Sequence, residues 1–370
     1  MEPATVAQSP RLIFDCHLDI SMNAQDFNRD QRWTQERIRR YELTVRDGIA
    51  GRGSNTVCFP EMRRGRFGIC VATQISRYVA PFGRLPGWRS PEQAWAHTQG
   101  QLAYYRVMEE CGEMVQLRTW NDVEAHASKW LKASDCEAAA LPIGYLLSLE
   151  GADSILSWRH LEKSRADGLV AIGPVHYGPG IYGHGTDDSG PLTAKGVDLL
   201  REMERLGIIL DVTHLCDESF WDALKRFQGP VWASHSNCRV LSHWNRQFTD
   251  DQIRALIERD AVIGMAFDAI MMVHGWTHLR SKPQDFNLKL EKICEHIDHI
   301  CQLAGNVKHV GIGTDLDGGY GTEQTPMDLD SIADIATLTG PLSSRGYSAT
   351  DIDLIFHGNF LRFLKKNLSA

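Results

Sequence analysis

The sequence predicts an α/β fold, a (β/α)8 barrel with loop insertions and a closing C-terminal helix. Two observations carry this. Eight apolar runs of strand length alternate with helical segments, the pattern of parallel strands joined by crossover helices. Most of those runs also end on His, Asp or Glu, and a barrel gathers its strand ends around the mouth where barrel enzymes keep their active sites. One domain over residues 1–370 is expected, with a flexible tail at 1–10. A doubly wound sheet is the runner-up, disfavoured because no Gly-x-Gly-x-x-Gly follows a strand.

The first strand opens on Leu12-Ile-Phe14 and delivers His17 and Asp19, whose spacing puts both on one strand face. The charged segment 26–46 is expected as an exposed helix over the barrel mouth or side, a solvated face with no assigned role. Residues 67–75 form the second strand, and 91–110 a helix with Pro91 in its first turn. The third strand, 142–149, ends at Glu150-Gly151, and the fourth, 169–175, at His176. A Gly-rich loop, 178–190, leads to a helix capped by Thr193 and stopped by Gly207. The fifth strand, 208–213, ends at His214. A short helix at 220–227 precedes the sixth, 231–234, which ends at His235. Thr249-Asp-Asp-Gln252 is a capping box opening a helix with Ile253, Leu256 and Ile257 inward. The seventh strand is 261–267. The aperiodic stretch 270–287 suits a lid, and a helix at 288–303 precedes the eighth strand, 309–314, which ends at Asp315. An amphipathic helix, 350–366, closes the domain.

Composition narrows the function. The 43% hydrophobic and 23% charged residues are those of an ordinary globular enzyme. A net charge of −8 disfavours a nucleic-acid partner, which calls for a basic face. No run reaches the roughly 18 apolar residues of a membrane span. Residues 1–10 lack the cationic and apolar regions of a signal peptide, so a cytoplasmic location is expected. The nine Cys form no Cys-x-x-Cys pair, and Cys58, Cys70 and Cys111 sit in apolar runs, where buried, reduced thiols are expected.

Of fifteen His, four end strands: His17, His176, His214 and His235. The others are expected on the surface or on helix faces. A single strand-end His is more often structural; the same event recurring around one barrel points to metal ligation. Three His and two carboxylates exceed the roughly three protein ligands of one catalytic zinc. Because a carboxylate can bridge, the inventory suits two cations roughly 3.5–4 Å apart with Glu150 between them. Imidazole and carboxylate donors without thiolate favour two Zn2+, with Mn2+ or Fe2+ as alternatives. His274 and His278, spaced i, i+4, form a further metal pair in principle; a lid or oligomer contact is the plainer role.

The motifs Asp15-Cys-His-Leu-Asp19, Glu150-Gly151, Leu210-Asp-Val-Thr-His214, Ser234-His-Ser-Asn-Cys-Arg239, Gly311-Ile-Gly-Thr-Asp-Leu-Asp-Gly318 and Gly358-Asn-Phe360 recur in a telling order and spacing. Together, over about residues 14–364, they resemble the renal (membrane) dipeptidases, binuclear zinc hydrolases of the amidohydrolase superfamily. The resemblance implies that His17 and Asp19 bind one zinc, His214 and His235 the other, and Glu150 bridges them. It implies Asp315 as proton shuttle, His176 against the scissile carbonyl, and Arg246 on the substrate's terminal carboxylate. The implied activity is hydrolysis of dipeptides, D-residues at the C-terminal position included, by a hydroxide bridging two metals. The partner is then a small dipeptide-like substrate, with a homodimer left open.

Three stretches depart from the family pattern. The chain has Gly173-Pro-Val-His-Tyr177 where a Thr-His and an Asn-rich turn are usual, Gln247 where Asn commonly follows the Arg, and Met265-Ala-Phe-Asp268 in place of Val-Asn-Phe-aromatic. All lie near the expected substrate pocket and none at an expected ligand. Asp268 reads as a solvated strand-end acid or as a selector of basic side chains. Two alternatives stay open. A specialised amidase, lactamase-like or biosynthetic tailoring hydrolase on an amino-acid conjugate would keep the barrel and metals. A non-catalytic accessory or binding relative would keep only the fold, and it would have no use for Asp315.

Overall fold

Apolar side chains occupy both faces of these strands because a parallel barrel is covered on both sides. The computed structural model describes residues 12–80, 83 and 85–369, so the expected tail at 1–10 lies outside the described residues. The strands are β1 (Ile13–Leu18), β2 (Phe67–Ile75), β3 (Met114–Gln116), β4 (Ile143–Glu150), β5 (Leu169–Gly173), β6 (Ile209–Asp211), β7 (Val231–Trp232), β8 (Ile263–Met265) and β9 (Val310–Ile312). Eight of them pair in parallel in the order β7-β6-β5-β4-β2-β1-β9-β8. A parallel bridge from Ala233 to Ile263 joins the two ends, closing the predicted barrel. At that seam a Cβ on Gly264 would meet the Ser234 carbonyl oxygen at 2.0 Å, and one on Gly313 at 1.8 Å, so both positions require glycine.

Successive strand residues fall into two apolar layers, as the two-residue strand period dictates. Ile13, Cys70, Tyr145 and Leu147 pack with Leu102, Leu199 and Leu256 of the flanking helices. Phe14, Ile69, Val71 and Leu146 pack with Phe360 and Phe363 of the last helix. Helices Pro91–Glu110 and Ala194–Leu206 start and stop where expected; Thr193 accepts from the Gly196 amide, and Gly207 takes a left-handed conformation. The Thr249/Gln252 capping box forms. The terminal helix runs as Ala349–Asp353, one widened turn at Leu354–Gly358, and Asn359–Asn367.

Several expectations need correction. β3 and helix Trp120–Lys132 were not predicted; β3 pairs with the start of β4 on the edge opposite β2, before β5 takes over at Leu147. Cys111 is exposed, because it follows the end of helix Pro91–Glu110. The segment 26–46 contains only an eight-residue helix, Gln35–Glu42, and it is not merely a solvated face. Its Arg29 and Glu42 are buried, paired at 2.8 Å, and Arg29 also reaches Asp317 at 3.3 Å. The stretch 270–287 holds a short helix, Ala269–Met272, and one turn, Pro283–Phe286, with Trp276 stacked toward Phe286. His274 and His278 do not converge: His274 faces the His243 ring and His278 pairs with Gln324.

His296, expected on a helix face, is fully buried. It accepts from the Cys238 amide at 3.1 Å and pairs with the Met272 carbonyl at 3.1 Å. Burial lowers its pKa to about 4. The unfolded imidazole takes up a proton near pH 6.5 while the folded one stays neutral to about pH 4. Stability therefore falls as pH drops through that window, by about 3 kcal/mol from this group. Urea unfolding across pH 7 to 4.5 should lose about 2–3 kcal/mol less in His296→Gln than in the wild type. Parallel losses would mean the imidazole is not buried in its neutral form.

Candidate metal centre

Two buried aspartates brace the strand ends that carry the expected ligands. Asp15 Oδ1 accepts from the amides of His17 (3.1 Å) and Thr314 (2.8 Å), and its Oδ2 from the Thr314 hydroxyl (2.6 Å), tying β1 to β9. Asp211 Oδ1 accepts from the amides of Thr213 and Ser234, each at 3.1 Å, tying β6 to β7. Asn23 donates to the carbonyls of Asp19 (3.0 Å) and Asp317 (2.9 Å), linking the β1 and β9 loops again. His214 and Asp315 hold left-handed φ values of 69° and 58°, a conformation costing roughly 1–3 kcal/mol and concentrated at functional sites.

These constraints bring seven of the predicted residues together. Glu150, at the end of β4, directs Oε1 toward His214 Nε2 (3.1 Å) and His235 Nε2 (3.5 Å) and Oε2 toward His17 Nε2 (3.7 Å). His214 Nε2 and His235 Nε2 are 3.2 Å apart. His17 Nε2 lies 3.8 Å from both Asp19 Oδ2 and Asp315 Oδ1. A tetrahedral ion with bonds of about 2.05 Å spaces its ligand atoms about 3.3 Å apart, so the clusters are of the right size. His17 Nε2, Asp19 Oδ1 and Glu150 Oε1 are buried with no hydrogen-bond partner among the described residues. Such orphaned atoms cost stability unless something ligates them. The donor set fits one or two divalent cations, and His17, Asp19, Glu150, His176, His214, His235 and Asp315 all belong to groups with ligating geometry.

Hydroxyl groups orient three of the rings. His17 Nδ1 faces the Thr73 hydroxyl (3.4 Å), His214 Nδ1 that of Thr186 (2.9 Å), and His235 Nδ1 that of Ser234 (2.9 Å). Each Nε2 is thereby turned to the centre, the outer-shell arrangement that metal-binding imidazoles commonly have. Thr186 arrives on the Gly-rich loop, whose Gly185 packs so tightly that a Cβ there would meet the His176 carbonyl oxygen at 1.8 Å.

The electrostatics favour a cation. Burial alone would lower the His17 imidazole, yet Glu150, Asp19 and Asp315 outweigh it and raise it to about 10. Burial raises Glu150 to about 7 and Asp315 to about 8 against the pull of the His17 imidazole; repulsion from Asp19 and Asp211 adds to the first, and from Glu150 and Asp19 to the second. A proton shuttle must start as a carboxylate, and at Asp315 that requires the cations: a nearby metal charge reverses this local logic. His176, His214 and His235 lie well below the ordinary range through burial, reinforced by the Arg246 guanidinium.

The pocket above the centre differs from expectation in two places. Asp268 is buried, not solvated; its carboxylate caps the Ile270 amide and accepts from Gln324 at 2.8 Å, and burial raises it to about 8. Arg246 is buried and donates to the His235 carbonyl at 2.8 Å, with no carboxylate within 4.0 Å among the described residues. Sequence reasoning also missed Arg77, two residues beyond β2, whose guanidinium lies against His176 Nδ1. A strand-end position was its one available signal.

Comparisons place the chain among known proteins. It is 32% identical over 216 residues to an uncharacterised protein in the pqqA 5′ region of Klebsiella pneumoniae, covering 56% of this chain and 75% of that one. It is 28% identical over 230 residues to the dipeptidase verJ of Clonostachys rogersoniana, covering 60% of this chain and 55% of the relative. Its fold is that of the solved metallopeptidase dipeptidase AC, with a TM-score of 0.79, 24% identity, and coverage of 97% and 99%. A Rhodobacter sphaeroides metallopeptidase bound to a phosphinate mimic of L-Ala-D-Ala superposes with a TM-score of 0.78, 22% identity, and coverage of 97% and 100%. Among the described residues no helix is long and apolar enough to cross a membrane. The family model for membrane dipeptidase, peptidase family M19, matches residues 7–370, and the chain belongs to that family.

Proposed function

We propose that this protein hydrolyses the peptide bond of dipeptides with two zinc ions bound at the barrel mouth. The observation that carries this is Glu150, whose two carboxylate oxygens face separate sets of imidazole nitrogens. His17 and Asp19 would hold one ion, His214 and His235 the other, with Glu150 shared between them. Zinc suits these donors best, with manganese or iron as substitutes. When bound, the ions supply Lewis acidity and lower the pKa of water from 15.7 to about 7, so hydroxide is available at neutral pH.

The chain's own residues do the rest. Asp315 receives the nucleophile's proton and passes it to the leaving amine. His176 donates from Nε2 to the carbonyl oxygen as charge develops there. Arg246, buried and with no ion-pair partner among the described residues, takes the free carboxylate of the substrate, which restricts cleavage to bonds one residue from a C-terminus. The Rhodobacter sphaeroides relative holds a mimic of L-Ala-D-Ala, which makes C-terminal D-residues the first substrates to try.

The test is metal analysis followed by a panel of dipeptides, with L- and D-residues at the C-terminal position and matched amides lacking the carboxylate. Two zinc per chain and turnover of dipeptides are expected. Arg246→Ala should raise KM for dipeptides roughly 10–100-fold, the worth of a hydrogen bond to a charged group, and leave the amides unchanged. A metal-free protein, or two metals with no dipeptide cleaved, would reject the proposal; equal losses on both substrate sets would remove the clamp.

A further inference from the structure

Four imidazoles surround Glu150, and geometry alone does not separate them. His176 Nε2 is 3.9 Å from Glu150 Oε1, and His176 forms a group of ligating geometry with Glu150 and His214. What separates them is the neighbour of Nδ1. For His17, His214 and His235 that neighbour is a hydroxyl. A hydroxyl accepts as readily as it donates, so these rings can carry hydrogen on Nδ1 and present the Nε2 lone pair. For His176 the neighbour is the Nη2 of Arg77. A guanidinium has donors and no acceptor, so Nδ1 must accept and the hydrogen must sit on Nε2.

We infer that Arg77 is a positioning residue that locks His176 as an Nε2–H donor, keeping it out of the metal centre and aimed at the substrate carbonyl. The carbonyl half of this rests on the proposed hydrolase function; the lock itself does not. Arg77 is held for the task. Its Nη1 donates to the Pro86 carbonyl at 3.0 Å, and among the described residues no carboxylate lies within 4.0 Å to neutralise it. Its positive charge therefore acts on the imidazole. A cation hydrogen-bonded to one ring nitrogen draws electron density from the ring and strengthens the opposite N–H as a donor.

The decisive measurement is the ring-nitrogen NMR of 15N-histidine-labelled, metal-loaded protein, with the His176 signal identified by its loss in His176→Asn. The wild type should show Nε2 protonated and Nδ1 bare. Arg77→Met should move the ring toward the Nδ1–H form, and Arg77→Lys, which also has donors only, should retain the wild-type pattern. In kinetics, Arg77→Met should lower kcat about 10–100-fold with KM little changed, and Arg77→Lys should recover most of it. A wild-type Nδ1–H ring overturns the inference even if no Arg77 variant folds, and so does an Arg77→Met spectrum like the wild type's. Should the tautomer respond as stated while no dipeptide is cleaved, the lock stands and the proposed function falls.

Discussion

Asp315→Asn is expected to bind its metals at wild-type stoichiometry and to lose about 10²- to 10⁴-fold in kcat, the range of a positioned general acid–base. The amide keeps the shape of the carboxylate and most of its packing, but it cannot take a proton from the nucleophile. Asp315 lies 3.8 Å from His17 Nε2 and 3.9 Å from His235 Nε2, so it overlooks both halves of the centre without the close approach that Glu150 makes. Metal analysis beside steady-state kinetics separates the roles. Loss of an ion would make Asp315 a ligand; undiminished turnover would remove it from the chemistry.

Glu150→Gln should do more damage. The carboxylate approaches both imidazole sets more closely than Asp315 does, and the substitution places an NH2, which can only donate, against an expected ligand position. Metal content should fall from two ions per chain to one or none. Lewis-acid stabilisation is worth several kcal/mol, so turnover should drop by roughly 10³-fold or more. Thermal unfolding of the metal-free forms guards against a misfolded variant: the metal-free Gln form should still unfold in one cooperative transition. A variant with two ions and full activity would move the bridge elsewhere.

The barrel was legible because the longer strands are apolar runs and most of the predicted strands end on His, Asp or Glu, β4 with Glu150 being the plainest case. β3 was not, since three residues carry no periodicity, and its pairing with β4 is a tertiary fact. The expected ligands were legible by their position at strand ends. What turns them was not. Thr73, Thr186 and Ser234 are common residues whose value lies in facing an imidazole, and Thr73 is 56 residues from the ring it meets. Arg77 meets His176 across 99 residues. Asp15 and Asp211 stand inside the recognisable motifs, yet nothing in one dimension says that each stitches two strands. Asp268 misled because exposure at a strand end is the common case, and here Gln324 folds over it.

The stitching by Asp15 and Asp211 has a consequence for which metal is found. Ligand positions fixed by the backbone hydrogen bonds of four strands exist before any ion arrives. Little conformational cost then remains for binding to settle, and little distortion is available to reject an ion of similar size. Affinity among divalent ions follows their intrinsic order, and occupancy follows supply. The metal recovered with the protein would thus record the growth medium as much as the enzyme's preference. Loading the chelated protein from defined mixtures, rather than assaying what purifies with it, is what would reveal the preference itself.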